Sequence, residues 1–203
     1  MVEPREVLPD VWRWTARHPA WRPGAKSESP ADWEPDVGSV AYLAGAELVL
    51  IDPLVPADRA ELWGWLDEIA SGRNVHVLTT IKWHRRSREL VVDRYGAETA
   101  RARAAVPAGV VPLPLRGAGE TMFWLERQRA LVPGDRIMGR RHGGLRVCPE
   151  SWLGYLDSGI GLEELRGVVR AAVTDLPVEA VLVSHGEPVL SDGAAAVERA
   201  LQL

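Results

Sequence analysis

Leu78-Thr79-Thr80-Ile81-Lys82-Trp83-His84-Arg85-Arg86-Ser87 is the stretch whose reading decides the fold. The apolar run Val75 to Leu78 leads into it, and an amphipathic run from Glu89 to Tyr95 leads out. The pattern reads as strand, loop, helix, and a loop leaving the end of a strand is where α/β folds keep their chemistry. Lys82, His84, Arg85 and Arg86 stand almost side by side in that loop. Clustered cations repel, so stability alone is a poor reason to group them there. A solvated basic loop, with Ser87 capping the next helix, is the plain alternative.

Upstream, Val7 to Thr15 alternates apolar and polar residues and predicts a strand. His18 to Pro35, with four prolines, predicts a long loop, and loops of that length tend to be functional lids or disordered segments. Val37 to Leu43 and Glu47 to Ile51 predict a hairpin turning near Gly45 and ending in Ile51-Asp52-Pro53. Asp58 to Ile69 has helical spacing, with Asp58 as the expected cap, and Ser71-Gly72 stops it. Downstream, Ser87 to Tyr95 predicts a helix closed by Gly96. Val110 to Leu115 contains Pro112 and Pro114, which confines it to a sheet edge. Thr121 to Leu125 and Ala130 to Val132 predict a second hairpin delivering Pro133-Gly134-Asp135. Helices are expected over Ser151 to Leu156, Leu162 to Leu176 and, capped by Asp192, Gly193 to Leu201. A short buried strand, Val181 to Val183, ends in Ser184-His185-Gly186-Glu187-Pro188. This order predicts an α/β protein: an αββα sandwich of two mixed β-sheets flanked by helices.

At 203 residues the chain fits a single domain, 1–203, with a core that needs no staples. A net charge of −4 gives no electrostatic case for nucleic acid or an anionic membrane. The lone cysteine, Cys148, excludes an intramolecular disulfide and suits a reducing compartment. The charged start lacks the apolar core of a signal peptide, and no apolar run is long enough to span a bilayer, so a cytoplasmic protein is expected. Nine Trp against one Phe is unusual. Trp12, Trp14, Trp21 and Trp33 either fill the core or lid a pocket.

The focal loop, Gly134-Asp135 and Ser184-His185-Gly186 each place His or Asp directly after an apolar run. With Val49-Leu50-Ile51-Asp52-Pro53 and Arg129-Ala130-Leu131-Val132-Pro133-Gly134-Asp135, this order resembles the metallo-β-lactamase-fold hydrolases, the superfamily that includes glyoxalase II-like enzymes. The resemblance covers nearly the whole chain. It implies metal positions that the family fills mostly with His, from a Thr-His-x-His-x-Asp-His loop. In this chain Thr80 and Lys82 stand where the first two His belong, His84 where Asp belongs, Arg85 where the third His belongs, and Arg116 at a later His. Asp135 and His185 match the family unchanged. The first metal position, left with Thr80, Lys82, Arg116 and Asp135, lacks ligands, and Lys82 and Arg116 could replace its charge by pairing with Asp135. The second keeps His84, Asp135 and His185, a set able to hold one divalent ion (zinc, iron or manganese).

Two functions follow, and the sequence leaves both open. One is a hydrolase-like protein without the usual dinuclear centre, in which at most one ion activates water toward an ester, thioester or phosphoester, with His84, Asp135 and His185 as the catalytic set. The other is a metal-free, non-catalytic protein that binds a small anion through Lys82, Arg85 and Arg116. Acid–base catalysis by His84 with Asp135, or His185 with Glu187, is a third possibility. His18 reads as a loop residue able to face the pocket, His76 as a satisfied sheet residue, and Cys148 as structural. His142 lies in an Arg-rich loop, either solvated or in contact with an anion.

Overall fold

The computed structural model describes residues 3–27, 29–56, 58–99 and 106–202. Strands β1 (Arg5–Leu8), β2 (Val11–Arg17), β3 (Asp36–Ala44) and β4 (Glu47–Ile51) come first. Helix α1 (Ala60–Ala70), strand β5 (Asn74–Leu78), helix α2 (Arg88–Tyr95) and strand β6 (Glu98–Thr99) complete the first half. These strands form one sheet in sequence order, antiparallel as far as β4 and parallel from there to β6. The second half begins with β7 (Val110–Leu115), β8 (Glu120–Leu125) and β9 (Ala130–Val132). A two-stranded ribbon, β10 (Ile137–Gly139) and β11 (Leu145–Val147), follows, and then a 3₁₀ helix over Glu150–Tyr155. Helix α3 (Leu162–Val173), β12 (Ala180–Val181) and α4 (Gly193–Gln202) end the chain. The second sheet runs β12-β9-β8-β7, with β12 parallel to β9 and the proline-bearing β7 at the edge.

Alternation of side chains along the strands sorts the apolar residues into layers. Val40, Val49, Ile51 and Leu78 of the first sheet meet Phe123, Leu125, Ala130 and Val132 of the second, all buried. The opposite face of the first sheet packs Leu48, Leu50, Val75 and Val77 against Leu62 and Leu66 of α1 and Val91 of α2. The outer face of the second packs Met122, Trp124 and Leu131 against Leu165 and Val169 of α3 and Val197 and Leu201 of α4. The predicted αββα sandwich of mixed sheets is the observed architecture. Each fully buried Leu, Ile, Val or Phe contributes about 1.5–3 kcal/mol to holding the layers.

Several local expectations change. The strand expected over Val7 to Thr15 is broken at Asp10, whose positive φ of 64° turns β1 into β2; Asp tolerates that region because its short side chain is polar. Asp58 does not cap α1: Arg59 is in the cap position and makes no side-chain cap. The Ser87 hydroxyl makes no cap of α2 either, because Val55 engages it, donating its N–H at 2.8 Å and accepting at the carbonyl at 3.2 Å. Gly96 closes α2 in the left-handed region, as expected. The Arg-rich stretch near His142 is the tip of the β10–β11 ribbon, which the sequence reading did not contain.

Both sheets are stitched at one end. The Thr121 N–H donates to the Thr80 carbonyl at 2.8 Å, and the Gly38 N–H to the Ser184 carbonyl at 2.7 Å. The His185 turn also lies on β10, with the Gly139 N–H donating to the His185 carbonyl at 2.8 Å. Backbones approach so closely there that a Cβ at Gly139 would run into the backbone of Glu187, and one at Gly186 into that of Gly139. Gly186 also has a φ of 78°, where side chains are strained. Gly139→Ala is therefore expected to destabilise the fold by about 1–3 kcal/mol, the usual cost of overpacking. Urea unfolding checks this, against Gly154→Ala, whose added Cβ meets open space.

Candidate metal and ligand site

The stitched end of the sandwich holds the loops after β4, β5 and β9 together with the turn after β12. Asp52, at the end of β4, has a φ of 49° and is buried. It accepts from the Thr80 N–H at 2.9 Å and from the Thr80 hydroxyl at 2.5 Å. Its Oδ2 also lies 2.8 Å from Nδ1 of His84. The opposite ring nitrogen of His84, Nε2, lies 2.9 Å from Oδ1 of Asp135. His185 approaches the same oxygen through its Nε2 at 3.2 Å. His84 is thus clasped between two carboxylates, and Asp135 between two imidazoles.

Neither imidazole contact has the alignment of a hydrogen bond, and Asp135 Oδ1 is a buried oxygen without a hydrogen-bond partner among the described residues. The other oxygen, Oδ2, accepts from the Trp83 indole N–H at 2.5 Å. That bond fixes the rotation of the carboxylate and leaves Oδ1 facing the two rings.

Electrostatics divide the two histidines. Burial pushes His84 down, but Asp135, and behind it Asp52, outweigh burial and the nearby Arg86, raising its pKa to about 9. His185, with one carboxylate, is held below its ordinary value by burial. Burial pushes Asp135 up, yet the two imidazoles hold it well below the usual carboxylate range.

The turn that presents Asp135 is held from beneath by Glu120. This buried carboxylate accepts the N–H groups of Gly134 at 2.9 Å, Asp135 at 2.7 Å and Arg136 at 3.0 Å. Burial, then Asp135, push Glu120 up to about 7. Arg136 is fully buried, donates to the Ala118 carbonyl at 3.0 Å, and lies under the Trp83 ring at 5.8 Å.

Above these groups is a cavity of about 470 Å³. His84, Asp135 and His185 line it together with Arg86 and Lys82, and Trp33, Trp83, Trp152 and Tyr155 supply aromatic wall. Trp33 and Trp152 each meet the His185 ring edge to face, at 5.9 and 5.6 Å. Arg86, at a φ of 41°, donates Nη1 to the carbonyls of Gly38 (2.6 Å) and Asp52 (2.9 Å). Its Nε and Nη2 are buried without partners.

Of the residues singled out from sequence, the structure brings together His84, Asp135 and His185, whose ligand atoms all lie within 4.8 Å of one another. Lys82 lines the cavity with an exposed side chain, its Nζ 5.4 Å from the Trp83 ring. Arg85 and Arg116 are exposed, and neither is among the residues lining this cavity. The pairing of Lys82 and Arg116 with Asp135 is not what the structure shows: two imidazoles and an indole surround that carboxylate. His18 does face the cavity, stacking edge to face on Trp33 at 5.1 Å, and burial lowers its pKa to about 4. His76 pairs with Glu47 at 2.6 Å within the sheet. His142 and Glu187 are exposed, and Cys148 is buried, burial pushing its thiol up to about 11. The tryptophans divide: Trp14 is core, donating to the Leu54 carbonyl at 2.9 Å, whereas Trp33 walls the cavity.

Sequence reasoning missed Arg86, Glu120, Trp83 and Trp152. Glu120 left a signal: a lone carboxylate beside Gly119, heading an otherwise apolar strand. Arg86 left none that separates it from Lys82 and Arg85, because consecutive loop cations carry no periodicity.

No family model matches the sequence, and no curated protein matches it. Solved structures do match. A metallo-β-lactamase from Erythrobacter litoralis aligns with a TM-score of 0.67 at 16% identity, over 100% of this chain and 91% of its own. The metallo-β-lactamase DIM-1 aligns with a TM-score of 0.64 at 12% identity, over 100% and 96%. FIM-1 from Pseudomonas aeruginosa, in a mono-zinc form, aligns with a TM-score of 0.63 at 13% identity, over 100% and 94%. Among the described residues no helix is long and apolar enough to cross a membrane. Identities this low speak for the fold alone, and the fold of this chain is that of the metallo-β-lactamases.

Proposed function

We propose that this chain is a hydrolase-like protein that takes at most one divalent ion, zinc, iron or manganese, on His84 Nε2, Asp135 Oδ1 and His185 Nε2. The observation carrying this reading is Asp135 Oδ1, a buried carboxylate oxygen with no hydrogen bond, 2.9 and 3.2 Å from two ring nitrogens. Two imidazoles and one carboxylate form a donor set suited to such an ion. The Asp52 contact to His84 Nδ1 is the outer partner that metal-bound imidazoles usually have, fixing ring and tautomer. A single ion is favoured over two by the residues at the other family position. The Thr80 hydroxyl is committed to Asp52, and Lys82 and Arg116 are exposed cations. FIM-1, which shares the fold, was itself solved with one zinc.

An ion bound there would lower the pKa of water and so supply the nucleophile for an ester, thioester or phosphoester. The chain's own groups do the rest. Trp83 holds the Asp135 carboxylate so that Oδ1 stays free, Asp52 keeps His84 aimed, and the aromatic walls thin the water around the floor. Arg86 and Lys82 place positive charge where negative charge develops on the substrate.

A second reading, a metal-free protein binding a small anion, has its own observation. With its pKa raised to about 9, His84 is an imidazolium, and its positive charge then lies between Asp52 and Asp135 in place of an ion's. In that case the anion would meet Lys82 and Arg86 at the cavity, and Arg85 and Arg116 only from outside it.

Elemental mass spectrometry on protein purified without chelator separates the readings. About one ion per protomer is expected, lost in His84→Ala and in His185→Ala. No ion in the wild type, even after addition of zinc, iron and manganese, overturns the metal reading in favour of the second.

The chelated protein carries a further expectation. The His84 pKa in the fold, about 9, lies above its ordinary 6.5, so the fold binds the proton more tightly than the unfolded chain does. The associated stability is fully present below pH 6.5 and is lost as pH rises toward about 9. Thermal midpoints of the chelated wild type are expected to fall across that window, and those of His84→Gln to fall less, Glu120 near 7 contributing to both; parallel curves would place the charge elsewhere.

A further inference from the structure

Among the described residues, nine buried side-chain polar atoms lack a partner, and five of them belong to residues lining the one cavity above His84. They are Arg86 Nε and Nη2, Trp152 Nε1, His185 Nδ1 and Asp135 Oδ1. Buried polar groups are nearly always satisfied, and each orphan costs about 1–3 kcal/mol, so this concentration marks a place where something else belongs. The ion proposed above answers Asp135 Oδ1. Arg86 Nε and Nη2 and Trp152 Nε1 are donors, whereas His185 Nδ1 donates only when Nε2 gives its lone pair to an ion, because an Nε2 that faces the Asp135 carboxylate carries the proton itself.

Donors without acceptors call for a ligand rich in oxygen. Charge narrows the class. Arg86 gives Nη1 to two neutral carbonyls, and no carboxylate lies within ion-pair distance of it among the described residues. Asp52 and Asp135 attract it from beyond that distance, and water would satisfy its N–H groups without giving the charge a contact partner. Lys82 adds a second cation at the rim, and the one carboxylate on the cavity floor, Asp135, is already engaged by two imidazoles. The walls narrow it further: Trp33, Trp83, Trp152 and Tyr155 present ring surface, and Tyr155 and Trp83 keep 62% and 38% of their area exposed. Such exposed rings beside a cavity accept a flat apolar body.

We propose that this cavity binds a small organic oxyanion, a planar apolar body bearing a carboxylate, with the carboxylate held by the Trp152 indole N–H in the field of Arg86. The inference rests on the preceding reading only in taking this cavity as the functional site. It names the ligand class and gives Trp152 and Arg86 the work of choosing it.

Isothermal titration with 2-naphthoate, 2-naphthalenemethanol and acetate tests it, on wild type, Trp152→Phe and Arg86→Met. The body alone and the head alone are each expected to bind at least about tenfold more weakly than 2-naphthoate, the scale of one charge-assisted hydrogen bond. Trp152→Phe keeps a ring and removes the N–H, so it should lose that preference over the alcohol, as should Arg86→Met. Arg86 also braces Gly38 and Asp52; if Arg86→Met does not fold, Trp152→Phe decides. Equal affinity for 2-naphthoate and the alcohol, no binding of 2-naphthoate, or undiminished 2-naphthoate affinity in folded Trp152→Phe each overturns the proposal. Ion content measured on the same samples keeps the two ideas apart. An ion without 2-naphthoate binding removes the ligand class and leaves the metal reading, whereas selective binding with no ion under any loading does the reverse.

Discussion

A carboxylate taken out of water must be answered at contact distance or it takes up a proton, and much of this end of the molecule answers one carboxylate. Asp135 is met by His84 from the first sheet's loops, by His185 from the turn after β12, and by the Trp83 indole from above. The demand propagates outward. His84 can serve only because Asp52 holds its far nitrogen, and Asp52 is held in turn by the backbone and hydroxyl of Thr80. Glu120 anchors the turn itself through three backbone N–H groups. A buried carboxylate thus carries a second one beneath it, and burial, then the repulsion between them, raises the pKa of Glu120.

Such a cluster would be unaffordable in a loose loop. It survives because the strands beneath are rigid: β4, β5, β8 and β9 have their apolar faces buried between the sheets or under helices. Hydrophobic burial, which is non-directional, supplies the stability, and the strand ends convert it into direction. The polar residues then need only short turns to reach one another. That division explains how a chain at 12–16% identity to solved metallo-β-lactamases keeps their layering.

Much of the fold was legible because the period-two strands and 3.6-period helices are long-range averages that single residues do not upset. The β3–β4 hairpin, α1 and the β8–β9 pair stood close to where the pattern put them. Local exceptions came from residues with two uses. Asp10 could continue a strand or turn it, and Ser87 could cap a helix or, as it does, serve Val55. At the site, Asp135 and His185 were legible because each ends an apolar run at a turn. Arg86 was not, because its role depends on which way a left-handed residue throws its side chain, and neighbouring cations look alike in sequence. The aromatic wall was half legible: the excess of Trp was plain, but which of them pack inward and which face the cavity is decided by tertiary contacts.

The two stitches between the sheets, at Thr80 with Thr121 and at Gly38 with Ser184, bracket the site. His84 belongs to one side of that seam and Asp135 to the other, so the gap between them records how far apart the sheets lie. The site is in that sense a gauge read off the core. Side chains such as Leu125 and Phe123, which touch neither residue, set the thickness that the gauge registers. Interior volume is therefore a means of tuning this geometry from a distance, open to sequences that leave every polar residue of the site untouched.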